Sequence, residues 1–284
     1  MVNPLRSSLS IAVPIFTRLD DWLGLWAMET IRFGSLWHMA RVADWPVHMA
    51  ATPQRPMSLT EMVPAKGGKN IAVITAAGTL MKSQSSFGGT STVQLRRDVR
   101  AAANDPNVSS ILLRIDSPGG TVAGTADAAS DIKAARKKKP VWAHIDDLGA
   151  SAAYWLASQA DMVFANNPTA MVGSIGTYVA VADLSAAAER EGVKVHLFTT
   201  GPLKGIGVPG VAITDDQAAH VQRLVNETQT HFDSAVMKGR SMTPTQLSAV
   251  RSGGVFPATE AKDLRLIDGI RSLDATLESL ATAK

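Results

Sequence analysis

Two residues of this chain have the type and surroundings to do chemistry together: a serine in Gly149-Ala150-Ser151-Ala152-Ala153 and a lysine in Gly201-Pro202-Leu203-Lys204-Gly205. Glycine and alanine around Ser151 leave room for a sharp turn into the apolar run Tyr154-Trp155-Leu156-Ala157, and such a turn exposes a hydroxyl. A helix beginning there would aim its free N–H groups at whatever the hydroxyl attacks. Taken singly, Ser151 reads more readily as a helix N-cap. As a nucleophile it would need a neighbour to take its proton. Lys204 is flanked by glycine and apolar residues, surroundings that desolvate an amine and favour the neutral form a general base requires. A loop lysine is nonetheless usually solvated. Among the histidines, His144 lies inside a predicted strand, where a packed role is simpler than a catalytic one.

Two further segments bear on the same chemistry. Asp116-Ser117-Pro118-Gly119-Gly120 ends a predicted buried strand, and its paired glycines would let backbone N–H groups turn outward to bind an oxyanion. The residue after a nucleophile often supplies the second donor, which here is Ala152. Gly173-Ser174-Ile175-Gly176 carries a hydroxyl that would orient the lysine, although a plain loop turn accounts for it equally well.

The elements that must position these residues follow a β–α rhythm from Lys69 onward. Strands are expected at 70–75, 110–115, 141–145, 162–165, 177–181 and 193–199. Helices are expected at 92–103, 122–138, 183–191 and 258–264. Thr214-Asp215-Asp216-Gln217 is a capping box, followed by Ala218, Val221, Leu224, Val225, Thr228 and Phe232 at helical spacing. Strands alternating with helices imply a largely parallel sheet covered by helices. Residues 1–65 differ in texture and are read as an N-terminal arm; 66–284 form the main domain. The arm holds Trp22, Trp26, Trp37 and Trp45, four of the six tryptophans. Trp22, Trp26, Ile31 and Phe33 fit an amphipathic helix, and Pro46, Pro53, Pro56 and Pro64 an extended linker.

Composition narrows the class. The chain has 284 residues, 45% hydrophobic and 19% charged, with a net charge of +3 too small and scattered for nucleic acid. The run Arg136-Lys137-Lys138-Lys139 is expected at a helix C-terminus, where cations complement the dipole. The absence of cysteine excludes disulfides, thiolate nucleophiles and cysteine zinc sites. No apolar run reaches the ~18–20 residues of a membrane span, and charges after Pro14 argue against a secretory signal. No cofactor or metal motif is present.

Taken in order, Asp-Ser-Pro-Gly-Gly, Gly-Ala-Ser-Ala-Ala-Tyr, Gly-Ser-Ile-Gly and Gly-Pro-Leu-Lys, with serine and lysine 53 positions apart, resemble the signal peptide peptidase A family of serine–lysine proteases. Within it the sequence is similar to the lambdoid phage head-maturation (capsid assembly) proteases, through Pro118-Gly119-Gly120-Thr121-Val122-Ala123-Gly124. The resemblance implies a Clp/crotonase-like α/β fold, a repeated β-β-α superhelical core with helices on largely parallel sheets. It implies Ser151 as nucleophile, Lys204 as base, Gly120 and Ala152 (with Gly119 adjacent) as oxyanion donors, and Ser174 as support. It implies protein substrates (capsid scaffold, portal or coat proteins), a homo-oligomer whose protomers complete each other's sites, and a place in the host cytoplasm or phage procapsid. Ser151-Ala152-Ala153-Tyr154 replaces the usual Ser-Gly-Gly-Tyr, which keeps the amides but alters the neighbouring pocket. The chain ends soon after the protease unit, so a scaffold segment is expected to be separate or absent. A cellular signal-peptide peptidase, a crotonase-like acyl-CoA enzyme and an inactive homologue are the alternatives.

Overall fold

Buried runs such as Ile71-Ala72-Val73-Ile74 and Ile111-Leu112-Leu113, apolar on both faces, are what a central parallel strand needs. In the computed structural model, which describes residues 25–29, 32–33, 58–83 and 88–283, these runs form the middle of the larger of two sheets. In chain order the elements are β1 (Trp26–Met28), β2 (Thr60–Pro64), β3 (Asn70–Ala77), β4 (Leu80–Met81), β5 (Thr90–Ser91), α1 (Thr92–Asn104), β6 (Val108–Ser117), β7 (Gly119–Thr121) and α2 (Thr125–Ala135). There follow β8 (Val141–Ala150), α3 (Ala152–Ala157), β9 (Met162–Ala165), β10 (Met171–Gly173), α4 (Ser185–Arg190) and α5 (Asp215–Arg240). The chain closes with α6 (Pro244–Val250), β11 (Val255–Pro257), α7 (Ala258–Asp263), β12 (Gly269–Ile270) and α8 (Leu273–Leu280).

The larger sheet has the order β11-β10-β8-β6-β3-β2, with β9 beside β8 and β12 beside β9; the smaller runs β1-β7-β4-β5. Pairs β3–β6, β6–β8, β8–β9 and β8–β10 are parallel, while β2, β11 and β1 add antiparallel margins. A β-β-α unit recurs. A strand of the large sheet (β3, then β6) leads into strands of the small sheet (β4 and β5, then β7) and on to a helix (α1, then α2). The expected α/β class with helices on largely parallel sheets is therefore what the chain adopts.

Strand β8 does most to position the candidate site. Its first half pairs with β9, at Trp142–Ile145, and its second half with β10, at Leu148–Ala150. The sheet thus splits along one strand, and the residue after Ala150 emerges in the fork. Helix α3 behind the fork is wholly buried; Trp155 stacks on Phe232 of α5 at 4.6 Å and 7°. The capping box at Thr214 forms as expected, and Ser91 caps α1 by accepting from the Gln94 amide. The basic run is tied down after α2: Arg136 pairs with Asp161, and the Lys139 ammonium donates to the Ala102 and Asp105 carbonyls at the end of α1.

Three expectations are corrected. Trp26 belongs to a strand, not an amphipathic helix; Trp22 and Ile31 lie outside the described residues, as do Trp37, Trp45, Pro46, Pro53 and Pro56. An open edge of β7 supplies the backbone partners that make it a strand. Residues 177–181 and 193–199 form no strands: apart from a single bridge from Tyr178 to Trp26, they find no sheet edge among the described residues. The strand Thr60–Pro64, within the stretch read as an extended linker, is hydrogen-bonded along β3.

Candidate active site

Ser151 is the residue between β8 and α3, and the direct passage from strand to helix sets its backbone. Its φ of 55° and ψ of −120° fall where a residue with a Cβ is strained, at a cost of order 1–3 kcal/mol. The Ser151 amide donates to the Gly173 carbonyl at 2.7 Å and its carbonyl accepts from the Trp155 amide at 2.8 Å, so both sides of the turn are pinned. The side chain makes no cap bond. That removes the N-cap role and leaves the hydroxyl, among the described residues, a long bond of 3.4 Å to the Gly176 carbonyl. Ser151 is fully buried.

The glycine pair lies alongside. Gly119 has φ 96°, and a Cβ there would sit 2.2 Å from the Ala27 carbonyl oxygen and 2.9 Å from the Ala152 amide nitrogen. No side chain fits, so β7, Ala152 and residue 27 approach with backbone against backbone. A Cβ on Gly120 would meet the Leu80 carbonyl oxygen at 1.8 Å. The Gly119 amide is committed to Ser117 Oγ at 3.1 Å, and Ser117 Oγ donates to the Gly78 carbonyl at 2.6 Å. The amides of Gly120 and Ala152 are then the pair available to a carbonyl oxygen in this space.

Ser174, also at positive φ (52°), is buried, and its amide donates to the Gly254 carbonyl at 2.6 Å. With Gly176 it lines a cleft of about 530 Å³ whose other walls include Met28, Tyr178, Gln229 and Arg251. Lys204 sits exposed in a turn of residues 201–207, its amide bonded to the Gly201 carbonyl, and no hydrogen bond or ion pair of its ammonium is formed among the described residues. Ser151, Gly119, Gly120 and Ala152 lie together and Ser174 lines the adjoining cleft, while Lys204 makes no hydrogen bond to Ser151 in this structure. His144 is packed: it is wholly buried in β8, its Nδ1 is 3.0 Å from Thr276 Oγ1 of α8, and burial pushes its pKa down. No group of three or more potential metal ligands occurs among the described residues.

Sequence reasoning missed Ala27 and Tyr178, which line this space through their backbones; their side chains carry no signal of it.

Residues 133–284, more than half of the chain, match peptidase family S49. The chain belongs to that family. It is 35% identical to capsid assembly protease C of Escherichia phage lambda over 72% of this chain and 47% of that protein. It is 29% identical to protease 4 of Salmonella typhi over 77% of this chain and 35% of that protein. The chain thus spans less than half the length of either relative. Among solved structures it overlays on an enoyl-CoA hydratase of Mycobacterium smegmatis at a TM-score of 0.47 and 13% identity, covering 80% of this chain and 76% of the other. No helix among the described residues is long and apolar enough to cross a membrane.

Proposed function

We propose that this S49 member is a serine endopeptidase acting on proteins of a phage capsid (scaffold, portal or coat), with Ser151 as nucleophile. The strained turn carries this reading, since it holds a buried hydroxyl that does no capping next to the Ala152 amide and a strand, at Gly119, too close for any side chain. Ser151 Oγ attacks the scissile carbonyl, and the amides of Gly120 and Ala152 receive the developing oxyanion. Lys204 takes the hydroxyl proton and returns it to the leaving amine.

Since Lys204 is exposed and makes no hydrogen bond to Ser151 of its own chain, its amine reaches Ser151 of a second copy. The segment that carries it supports this: Val193, Val195, Leu197 and Phe198 are exposed, Phe198 to 92%. An apolar surface of that kind calls for a protein cover. In the assembled pair Ser174 would orient the amine. The capsid setting is supported by the lambda relative, which is named a capsid assembly protease; degradation of signal peptides is the second reading, supported by a relative in Enterococcus faecium named a putative signal peptide peptidase.

The test is hydrolysis of a labelled capsid or casein substrate, together with labelling by a serine-directed fluorophosphonate. Wild type should cleave and be labelled, and Ser151→Ala should do neither. Cleavage by Ser151→Ala at the wild-type rate would remove the assignment.

A further inference from the structure

We infer that residues 25–29 occupy the peptide groove of this site as a tethered, substrate-like strand, and that the chain cuts itself between Ala27 and Met28. The inference rests on the reading of Ser151 as nucleophile. Strand β1 runs antiparallel to the glycine strand, with Trp26 opposite Thr121, Ala27 opposite Gly120 and Met28 opposite Gly119. The Val122 amide donates to the Leu25 carbonyl at 3.0 Å, and the Glu29 amide to the Pro118 carbonyl at 2.7 Å. Bonded pairs alternate in such a ladder, so Ala27 and Gly120 between them face each other carbonyl to amide. The opposite edge is held too: Trp26 and Tyr178 exchange both backbone bonds, at 2.8 and 2.9 Å. An extended segment bonded on both edges beside a nucleophile is how a peptide is held for cleavage by strand addition.

The register selects the bond. The Ala27 carbonyl oxygen and the Ala152 amide both border the space that forbids a side chain on Gly119, which puts that carbonyl at the two oxyanion donors. Side chains alternate across a strand. Trp26 and Met28 point to one face, packing with Met81, Phe33 and Tyr178, while Ala27 points to the other and is fully buried in the main core. Only a small residue fits at position 27. Backbone bonds hold the strand, and the bulky neighbours on either side anchor it.

The reaction balances within the proposed machinery. Ser151 Oγ bonds to the Ala27 carbonyl carbon as its proton passes to the Lys204 amine of a second copy. The carbonyl electron pair moves onto the oxygen facing Gly120 and Ala152. As the carbonyl re-forms, the Ala27–Met28 C–N bond breaks, and the proton goes to the Met28 nitrogen. Water then hydrolyses the Ala27 ester, freeing Ser151 and an Ala27 carboxylate. Until that cut, the tethered strand competes at an effective concentration on the order of millimolar, and the uncut chain is latent.

The experiment incubates the purified full chain and reads intact mass and N-terminal sequence over time, with casein hydrolysis followed in parallel. Wild type should generate a chain beginning at Met28, casein cleavage should rise after a lag, and Ser151→Ala should stay whole. Ala27→Trp, whose side chain cannot enter the buried position, should show no cut after residue 27 and should hydrolyse casein without the lag. Thermal melting reports whether each variant is folded. Casein hydrolysis by a wild-type chain that remains intact at Ala27–Met28 would overturn the inference and leave the peptidase reading standing. Failure of both wild type and folded Ala27→Trp to cut casein would defeat that reading, and the inference with it.

Discussion

The fork around Ser151 and the limb around Lys204 are built by opposite rules. Every residue of α3 is buried, and Ser151 is held by main-chain bonds on both sides. Across 179–200, by contrast, few side chains are even partly covered, and large apolar residues face solvent. Helix α5 joins the two and divides between them. Its C-terminal half is locked into the core by Phe232 and Val236, while Leu224, on the apolar stripe expected to pack, is exposed. A nucleophile needs a fixed geometry, which close packing supplies. The proposed base, if shared between copies, needs instead a surface that another chain completes. The contrast teaches that packing within the chain fixes the turn at Ser151, while the segment around Lys204 is left exposed.

The sharpest attack on this contrast is at the fork. Ser151→Gly should abolish peptidase activity, a fall of at least about 10⁴-fold. It should also raise the melting temperature, because glycine accepts the positive φ that strains serine; relief of order 1–3 kcal/mol is expected. Gly119→Ala should abolish activity as well but lower stability, since its Cβ would meet backbone atoms at 2.2 and 2.9 Å that cannot step aside cheaply. Activity assays with calorimetry on both variants read the opposite signs directly.

At the limb the signs differ again. Lys204→Met should lose activity as fully as Ser151→Ala yet melt like wild type, because the residue is exposed. Mixing inactive Lys204→Met with inactive Ser151→Ala should restore part of the rate, one chain giving the serine and the other the lysine. No recovery on mixing, across concentrations at which wild type associates, would mean that each chain serves itself. Phe198→Ser should weaken self-association in sedimentation while leaving the melting of the isolated chain within about 0.5 kcal/mol, the usual range for a surface change.

The smallest effect lies within the body. Burial holds the His144 pKa below its ordinary value, so the folded state keeps the imidazole neutral. As pH falls through about 6.5 the unfolded chain takes up a proton that the folded chain refuses, and stability drops toward the lower folded value. Above that window the group contributes no slope. His144→Gln should flatten the stability–pH curve below about pH 6.5 without moving the activity of wild type at neutral pH. Denaturant titration at a series of pH values measures it.

Much of the site was legible because its causes are local. Small residues around Ser151 permit the strand-to-helix turn whatever surrounds it, paired glycines permit the close approach at β7, and Thr214 and Gln217 cap their own helix. Core strands announced themselves by apolar runs, and their alternation with helices determined the α/β class. The loop lysine was legible as a type but not as a place, because the atoms that would bury it are not its neighbours in sequence. Val193, Val195 and Leu197 alternate like a strand; alternation records a one-sided apolar surface, and only the fold decides whether a sheet or another molecule covers it. Trp26-Ala27-Met28 is the clearest case of what tertiary structure alone decided. Three residues carry no strand signal of their own, and they became a strand because β7, some ninety positions on, and Tyr178 beyond it left backbone groups to be paired across the groove of Ser151.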